Sequence, residues 1–236
     1  MVTHMNKFLI GLGFLLFGTI NVNARIAVQA PPSHAMPIPE KMKASPKPTK
    51  SQAASPYEIP SAAEAVTFVE MLVNKGMEVA NKPGDHQQEF GELLRDNFIT
   101  EEISKFVLGA KWRQMTPQQR ESFHQIYQKR LVQIYSSPEK VNTFKNTVPN
   151  ISKDATSQTD GSVLVKSTFS NRDGSGEPAK VDWIVVKMNG HLYILNVMFE
   201  GISKLITERN DYAAIWSQQG NNPEKFIAYL QSTLKT

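Results

Sequence analysis

The sequence contains no cysteine among its 236 residues. This absence excludes a disulfide framework, a thiol nucleophile and a thiolate metal site. It leaves the redox compartment open, because a chain without thiols is indifferent to oxidation. The H-E-x-x-H pair, the G-x-S-x-G elbow and the phosphate-binding loop are missing as well. We therefore expect no enzyme, no metal site and no cofactor.

A surplus of charge of one sign is also missing from most of the chain. Lys and Arg number 26 and Asp and Glu number 22, but residues 1–60 hold six of the basic residues and only two of the acidic ones. Residues 61–236 therefore carry 20 of each and no net charge. Because nucleic acids demand a basic surface, we expect no nucleic-acid partner.

The longest apolar stretch lies at the N-terminus. Lys7 precedes an uncharged run of 13 residues at 8–20, FLIGLGFLLFGTI. This run is shorter than the roughly 20 residues that a membrane-spanning helix needs, and Ala24 offers the small residue that precedes a cleavage site. We predict a cleavable signal peptide over residues 1–24, and hence export. An uncleaved N-terminal anchor is the alternative.

A proline-rich segment follows the apolar run. Eight of the fourteen prolines lie between residues 31 and 60, among Ala, Ser, Lys and Met. Such a composition buries too little apolar surface to offset its ordering entropy. We predict a disordered linker over residues 25–60 and one ordered domain over residues 61–236.

Helix-start signals open the ordered domain. Ser61 and Glu64 have the spacing of a capping box, and an apolar stripe at helical spacing follows them. Thr116 and Pro117, with Gln119 after them, form the strongest such signal in the chain. Further helices are predicted over 85–97, from 100 to 109, from Pro138, after Ser203 and after Asn222.

The apolar period changes from helical to strand-like near residue 148. Candidate strands cover 147–152, 162–170, 179–188 and 191–199, and Asn189-Gly190 between the last two predicts a tight hairpin. Strict alternation places Tyr193, Leu195, Val197 and Phe199 on one face of the last strand. The pattern predicts an α+β fold in which helices pack on a curved, mainly antiparallel sheet of about four strands.

Few polar residues suggest chemistry. Ser203, His124 and Asp182 are the residues that a hydrolase would use, and a hydrolase is the weakest of the open alternatives. Ser203 precedes a predicted helix, so it is better explained as a helix cap than as a nucleophile. Asp182 lies in an otherwise apolar strand and is interpreted as a carboxylate at the rim of the sheet or paired in a turn.

Two blocks of the sequence carry a family resemblance. The first is 106–120, FVLGAKWRQMTPQQR, and the second joins 181–183, VDW, to 193–203, YILNVMFEGIS, with Arg209 and Tyr212 after it. In these blocks the sequence resembles the toluene-tolerance family, the MlaC-type periplasmic phospholipid-binding proteins. The resemblance covers roughly residues 60–234. An acid usually stands in the family where this chain has Asn196.

The resemblance implies a soluble phospholipid carrier in the periplasm of a Gram-negative envelope. It implies an apolar cavity between the helices and the sheet, which holds acyl chains while lipid moves between the outer and inner membranes and which links the protein to outer-membrane lipid asymmetry. The implied partners are phospholipid, an inner-membrane lipid-transporting ABC complex and an outer-membrane lipoprotein–porin complex. A carrier of hopanoid-type lipids and a non-enzymatic protein-interaction module of the envelope are the alternatives.

The expected lining of the cavity consists of large apolar and aromatic residues on the predicted helices and on the hairpin. These residues are Phe106, Val107, Trp112, Phe123, Tyr127, Leu131, Trp183, Val185, Tyr193, Leu195, Val197, Ile202 and Ile206.

Overall fold

The computed structural model describes residues 57–234. The predicted signal peptide and residues 25–56 of the predicted linker lie outside the described residues. Within the described part are seven α-helices, one 3₁₀-helix and five strands. In chain order they are α1 (Ala62–Asn81), α2 (Gln87–Asn97), α3 (Thr100–Leu108), the 3₁₀-helix (Gly109–Gln114), α4 (Pro117–Tyr135), α5 (Pro138–Lys145), β1 (Thr147–Ser157), β2 (Val163–Asn171), β3 (Ala179–Met188), β4 (His191–Phe199), β5 (Ile202–Ser203), α6 (Lys204–Gln218) and α7 (Pro223–Ser232).

The capping box predicted at Ser61 and the helix start predicted at Thr116 are both confirmed. At the start of α1, Ser61 Oγ accepts from Glu64 N at 3.2 Å, and Glu64 Oε2 accepts from Ser61 N at 2.8 Å. Hydrogen bonding of the Ser61 backbone and side chain, with the Lys187 ammonium, lowers the pKa of Glu64 to about 2. Thr116 and Gln119 exchange the same pair of bonds at the start of α4. The caps satisfy N–H groups that a helix end leaves without partners.

The five strands form one open antiparallel sheet in chain order, β1-β2-β3-β4-β5. The predicted hairpin joins β3 to β4, and both of its turn residues have positive φ, 52° at Asn189 and 77° at Gly190. Such a turn matches the twist of antiparallel strands. The predicted α+β class is therefore confirmed, with one short strand, β5, that the sequence did not indicate.

The alternation predicted for β4 is wrong at its centre, because the strand contains a β-bulge. Ile184 pairs with Asn196 and Val185 pairs with Ile194, so Leu195 has no partner on β3. One extra residue reverses the faces of all side chains beyond it. Ile194 therefore shares a face with Val197 and Phe199, and Tyr193 lies on the opposite face.

The helices cover the sheet from more than one side. The first helix, α1, packs on β1 and β2, whereas α2, α3 and α6 contact β4. Glu58, inside the segment predicted as a linker, donates its N–H to Lys187 O at 2.9 Å and accepts from Gly190 N at 3.0 Å. These two bonds fix the entry to α1 beside the β3–β4 hairpin. Within residues 57–234, no helix has the length and apolar character that a bilayer crossing requires.

Candidate functional site

An apolar pocket of about 100 Å³ lies between four helices and the sheet. We call it the outer pocket. Its walls come from α1, from α2, from the end of α4 and α5, and from one face of β2, β3 and β4. The lining residues are Leu72, Val73, Gly76, Phe90, Leu93, Leu94, Phe98, Tyr135, Thr143, Phe144, Thr147, Phe169, Val181, Trp183 and Val197.

The Trp183 and Thr147 polar groups in the walls of the outer pocket are bonded to the protein itself. Trp183 Nε1 donates to Ser167 Oγ at 2.9 Å, and Ser167 Oγ in turn donates to Val181 O at 2.6 Å. Thr147 Oγ1 donates to Phe144 O at 3.1 Å. Because these groups are already satisfied, the pocket presents hydrocarbon surface to whatever occupies it.

The rim of the outer pocket lies where α1, α2 and α5 approach one another. Leu93, Thr143 and Phe144 are partly exposed there, and so is Gly76, which lies in the second half of α1. A Cβ atom placed on Gly76 meets no heavy atom within 4 Å. A glycine inside a helix costs roughly 0.5–1 kcal/mol relative to alanine, so its position at the rim keeps space open at a cost in stability.

A second, smaller pocket of about 20 Å³ lies deeper in the domain. We call it the inner pocket. Leu94, Phe98, Tyr135 and Val197 line both pockets, so the two are neighbours separated by these side chains. The remaining walls of the inner pocket come from α3, α4, the bulged part of β4 and the start of α6; their residues are Ile103, Tyr127, Leu131, Leu195, Asn196, Lys204, Leu205 and Glu208.

A buried ion pair closes the inner pocket. Lys204 and Glu208 lie one turn apart on α6 and form an ion pair with both side chains buried. Tyr127 OH donates to the other carboxylate oxygen of Glu208 at 2.6 Å. Burial acts to lower the pKa of Lys204, but the Glu208 carboxylate outweighs it, and the net effect raises this pKa. Burial and the charge of Glu208 also raise the pKa of Tyr127.

Five of the thirteen predicted lining residues lie in a pocket wall. Trp183 lines the outer pocket, Val197 lines both, and Tyr127, Leu131 and Leu195 line the inner one. Leu195 reaches the inner pocket through the bulge in β4. Leu195 therefore lies in a pocket wall for a geometric reason, the bulge, that the alternating pattern did not contain.

Three predicted lining residues are packed into the core instead. Val107, Phe123 and Val185 are at most 1% exposed, and they lie in neither pocket. Phe123 stands at the centre of an aromatic cluster in which its ring is 5.2 Å from Tyr212 and 5.9 Å from Phe226. The broad apolar face of α4 is thus largely covered by aromatic rings from α6 and α7.

The other five predicted lining residues lie outside both pockets. Four of them are at or near the surface, and Tyr193 is on the other face of the sheet. Phe106, Ile202 and Ile206 are 36%, 59% and 50% exposed, and the structure therefore corrects their assignment to a cavity wall. Trp112 is partly exposed beneath the Arg120 guanidinium, 5.6 Å from the ring centroid. Because of the bulge in β4, Tyr193 lies on the face of the sheet opposite to Val197.

The exposed apolar residues form a surface beside Arg209. The Arg209 guanidinium lies 5.2 Å from the Phe106 ring centroid, and Ile206 precedes it by one turn of α6. A Cβ atom on Gly109, where φ is 54°, lies 2.8 Å from Arg209 Nη2. Glycine at this position therefore permits both the backbone angle and the close approach of the arginine.

The polar residues that a hydrolase would use have structural roles. Ser203 Oγ accepts from Ile206 N at 3.3 Å as the cap of α6, and from Asn196 Nδ2 at 2.9 Å. His124 Nε2 lies 3.3 Å from Thr100 Oγ1. Asp182 is half-buried, and burial raises its pKa. Within residues 57–234, no group of three His, Asp or Glu side chains is placed to hold a metal ion.

Sequence reasoning missed the contribution of α1, α2 and α5 to the pocket. Leu72 and Leu94 belong to ordinary helical stripes, and nothing in their spacing distinguishes a pocket wall from a packed core. Gly76 is the one available signal, because glycine interrupts an otherwise apolar helix face without ending the helix.

Comparison with known proteins agrees with the fold. The model of the family described as MlaC protein matches residues 64–232. The chain therefore belongs to the MlaC family. A search of curated proteins finds no significant match.

Among solved structures, the fold is similar to that of a phospholipid-binding protein from Ralstonia solanacearum, determined in complex with a phospholipid. The TM-score is 0.60 at 20% sequence identity, and the match covers 71% of this chain and 95% of that one. At this sequence identity the likeness concerns the fold alone.

Proposed function

We propose that this protein binds phospholipid and carries it through the periplasm between the outer and inner membranes. The observation that carries the proposal is the outer pocket, an apolar space between the helical layer and the sheet in which the Trp183 and Thr147 polar groups are bonded within the protein. Membership of the MlaC family and the phospholipid bound by the structural neighbour from Ralstonia solanacearum support it.

The energetics of lipid transfer explain why such a protein needs a pocket and no catalytic group. Burying one methylene contributes about 0.8 kcal/mol, so an acyl chain of common length gains on the order of 12 kcal/mol on leaving water. A free lipid therefore almost never crosses an aqueous gap. A carrier that matches the burial offered by the membrane removes this barrier with few hydrogen bonds.

The outer pocket has to widen to take a chain. Its volume of about 100 Å³ is below the roughly 300–1,000 Å³ of pockets that enclose drug-sized ligands. At the rim, α1, α2 and α5 approach one another through side chains and the backbone of Gly76. In this proposal these helices separate while the strand pairing of the sheet stays intact. We expect the head group to stay in solvent at the rim, which makes the binding weakly selective for head groups.

Release follows from the same energetics. Dilution does not supply the free energy that is needed to move a buried acyl chain back into water. A docked partner therefore has to open the pocket. The partners in this proposal are a lipid-transporting ABC complex in the inner membrane and a lipoprotein–porin complex in the outer membrane, reached after export by a cleaved signal peptide. No catalytic step enters the cycle. A hopanoid-type cargo is a variant of the same proposal.

Lipid analysis tests the proposal. The protein is purified from its native envelope without detergent, extracted with solvent, and the extract is analysed by mass spectrometry. We expect phospholipid at close to one molecule per protein chain. Polycyclic lipids in its place would identify the variant cargo, and an extract without lipid would overturn the proposal.

A protein-interaction module of the envelope is the second candidate function. The observation that favours it is the exposed apolar surface of Phe106, Ile202 and Ile206, since such patches mark interaction sites. This function predicts a stable stoichiometric partner and no bound lipid. Replacing Ile202 and Ile206 by Ser is then expected to abolish partner binding, whereas in a carrier it leaves the amount of bound lipid unchanged.

A further inference from the structure

The outer and inner pockets meet at four side chains. Leu94 and Phe98 come from the last turn and end of α2, Tyr135 from the end of α4, and Val197 from β4, and each of them lines both pockets. We call this set the gate. Three of its members are nearly buried, whereas Phe98 is partly exposed. The end of α2 is tied to the sheet by the hydrogen bond from Ile99 N to Ile194 O, of 3.2 Å.

Beyond the gate, six of the eight residues that line the inner pocket are buried. Its walls beyond the gate are the bulged Leu195, the apolar face of α4, and the stems of Lys204 and Glu208. The charged ends of that pair are buried and bonded to each other, and Tyr127 OH completes the carboxylate. A hydrocarbon chain cannot advance past this pair without separating two buried charges, which is strongly unfavourable.

We infer that an acyl chain bound in the outer pocket passes the gate and ends in the inner pocket, so that the gate and Leu195 set the longest chain that this protein carries. The inference rests on the proposed function and adds a residue-level limit on cargo length. Leu94 and Phe98 move aside by changing rotamer, and the Lys204–Glu208 pair marks where the chain stops.

The first test opens the gate. Leu94→Ala shortens one of the four side chains that separate the two pockets, and Leu93→Ala, its neighbour on α2, enlarges only the outer pocket. Each full-length variant is incubated with vesicles of phosphatidylglycerols that differ only in chain length, and the bound lipid is quantified by mass spectrometry. Leu94→Ala is expected to raise the share of the longest chains by about fourfold for each further methylene buried. Leu93→Ala is expected to leave that share unchanged.

The second test fills the inner pocket. Leu195→Phe places a larger side chain in a space of about 20 Å³, and Leu192→Phe makes the same change on the same strand outside both pockets. We expect Leu195→Phe to lower the share of the longest chains by about fourfold for each methylene excluded, with Leu192→Phe matching the wild type. Because each result is a ratio of bound lipids, a reduced folded fraction does not alter it.

The outcomes separate the two proposals. If wild type and all four variants capture no phosphatidylglycerol, the proposed function itself fails. If they capture it with the same distribution of chain lengths, the carrier stands and the gate is wrong. Opposite shifts for Leu94→Ala and Leu195→Phe, with both controls unchanged, support the gate.

Discussion

Two regions of this domain are built from similar side chains and packed to different degrees. Between α4, α6 and α7, the rings of Phe123, Tyr127, Tyr212, Trp216 and Phe226 are at most 2% exposed, and several centroids lie 5.1–6.3 Å apart. Between α1, α2, α5 and the sheet, equally apolar side chains leave the outer pocket. Apolar content therefore does not decide whether a region becomes a core or a site.

The geometry of the elements explains the difference. In the aromatic cluster, large rings from three helices point to one centre and interlock by stacking and edge contacts. At the outer pocket, α1 presents Gly76 to the gap, and α5 has only eight residues with which to cover it. Interiors normally pack to crystal-like density, so a gap lined by apolar side chains is a candidate functional space.

Replacing one aromatic residue by alanine in each region is expected to give the largest difference in the free energy of unfolding. Phe123→Ala is expected to lower the free energy of unfolding by about 3–5 kcal/mol, because it leaves a cavity among fixed rings. Phe144→Ala at the pocket rim is expected to cost about 1–2 kcal/mol, since its side chain is partly exposed and already faces space. Urea unfolding followed by fluorescence measures both. Equal losses would erase the distinction between the regions.

The buried ion pair between the two regions gives the next effect. Lys204→Met leaves Glu208 buried with Tyr127 as its remaining bonded partner, and we expect a loss of about 3 kcal/mol in the free energy of unfolding. The double variant Lys204→Met/Glu208→Leu is expected to recover part of it, because no uncompensated charge remains but Tyr127 OH loses its acceptor. A double-mutant cycle by urea unfolding measures the coupling. Additive losses would mean that the pair is not coupled.

Lys140, near the start of α5, is expected to make stability depend on pH. Burial lowers its pKa to about 8 from an ordinary value of 10.5. Between pH 8 and pH 10 the unfolded chain therefore binds more protons at this site, so the free energy of unfolding rises with pH, by about 1–2 kcal/mol. Above pH 10 the raised pKa of Tyr212 acts in the opposite direction.

Unfolding measurements across this range test the Lys140 prediction. Lys140→Met removes the titrating group and is expected to flatten the curve between pH 8 and pH 10. A rise that persists unchanged in the variant would assign the pH dependence to another group.

The smallest expected change in stability has the largest expected effect on binding. Gly76→Leu replaces a helix-interior glycine whose missing side chain opens on empty space, so we expect a gain of about 0.5–1 kcal/mol in unfolding free energy. The same leucine closes the rim of the outer pocket and is expected to reduce lipid capture at least severalfold. Asn74→Leu, on the exposed side of the same helix, is the matched control. Undiminished capture by Gly76→Leu would place lipid elsewhere.

Local signals in the sequence predicted much of the fold. The caps at Ser61 and Thr116, the Asn189-Gly190 turn and the Ser203 cap are all read from short stretches, and each element begins or turns where they indicate. Capping and turn chemistry act over three or four residues, which is why a single sequence suffices to find them.

The pocket walls depend on relations that a single sequence does not contain. The bulge at Leu195 changes which β4 side chains share a face, and only the pairing with β3 reveals it. Phe123 and Leu94 both follow helical apolar spacing, yet Phe123 is enclosed by rings from α6 and α7 while Leu94 borders two pockets. Their different roles arise from which distant elements meet them.

Photo-crosslinking tests the central claim most directly. The full chain is loaded with a phosphatidylglycerol that carries a photoreactive group at the end of one acyl chain, irradiated, and mapped by peptide mass spectrometry. We predict that the chain is attached to residues around the two pockets, in segments 72–76, 93–98 and 195–197. Attachment only to the exposed surface around Ile202 and Ile206, or no attachment at all, would contradict the claim that the space between the helices and the sheet holds lipid.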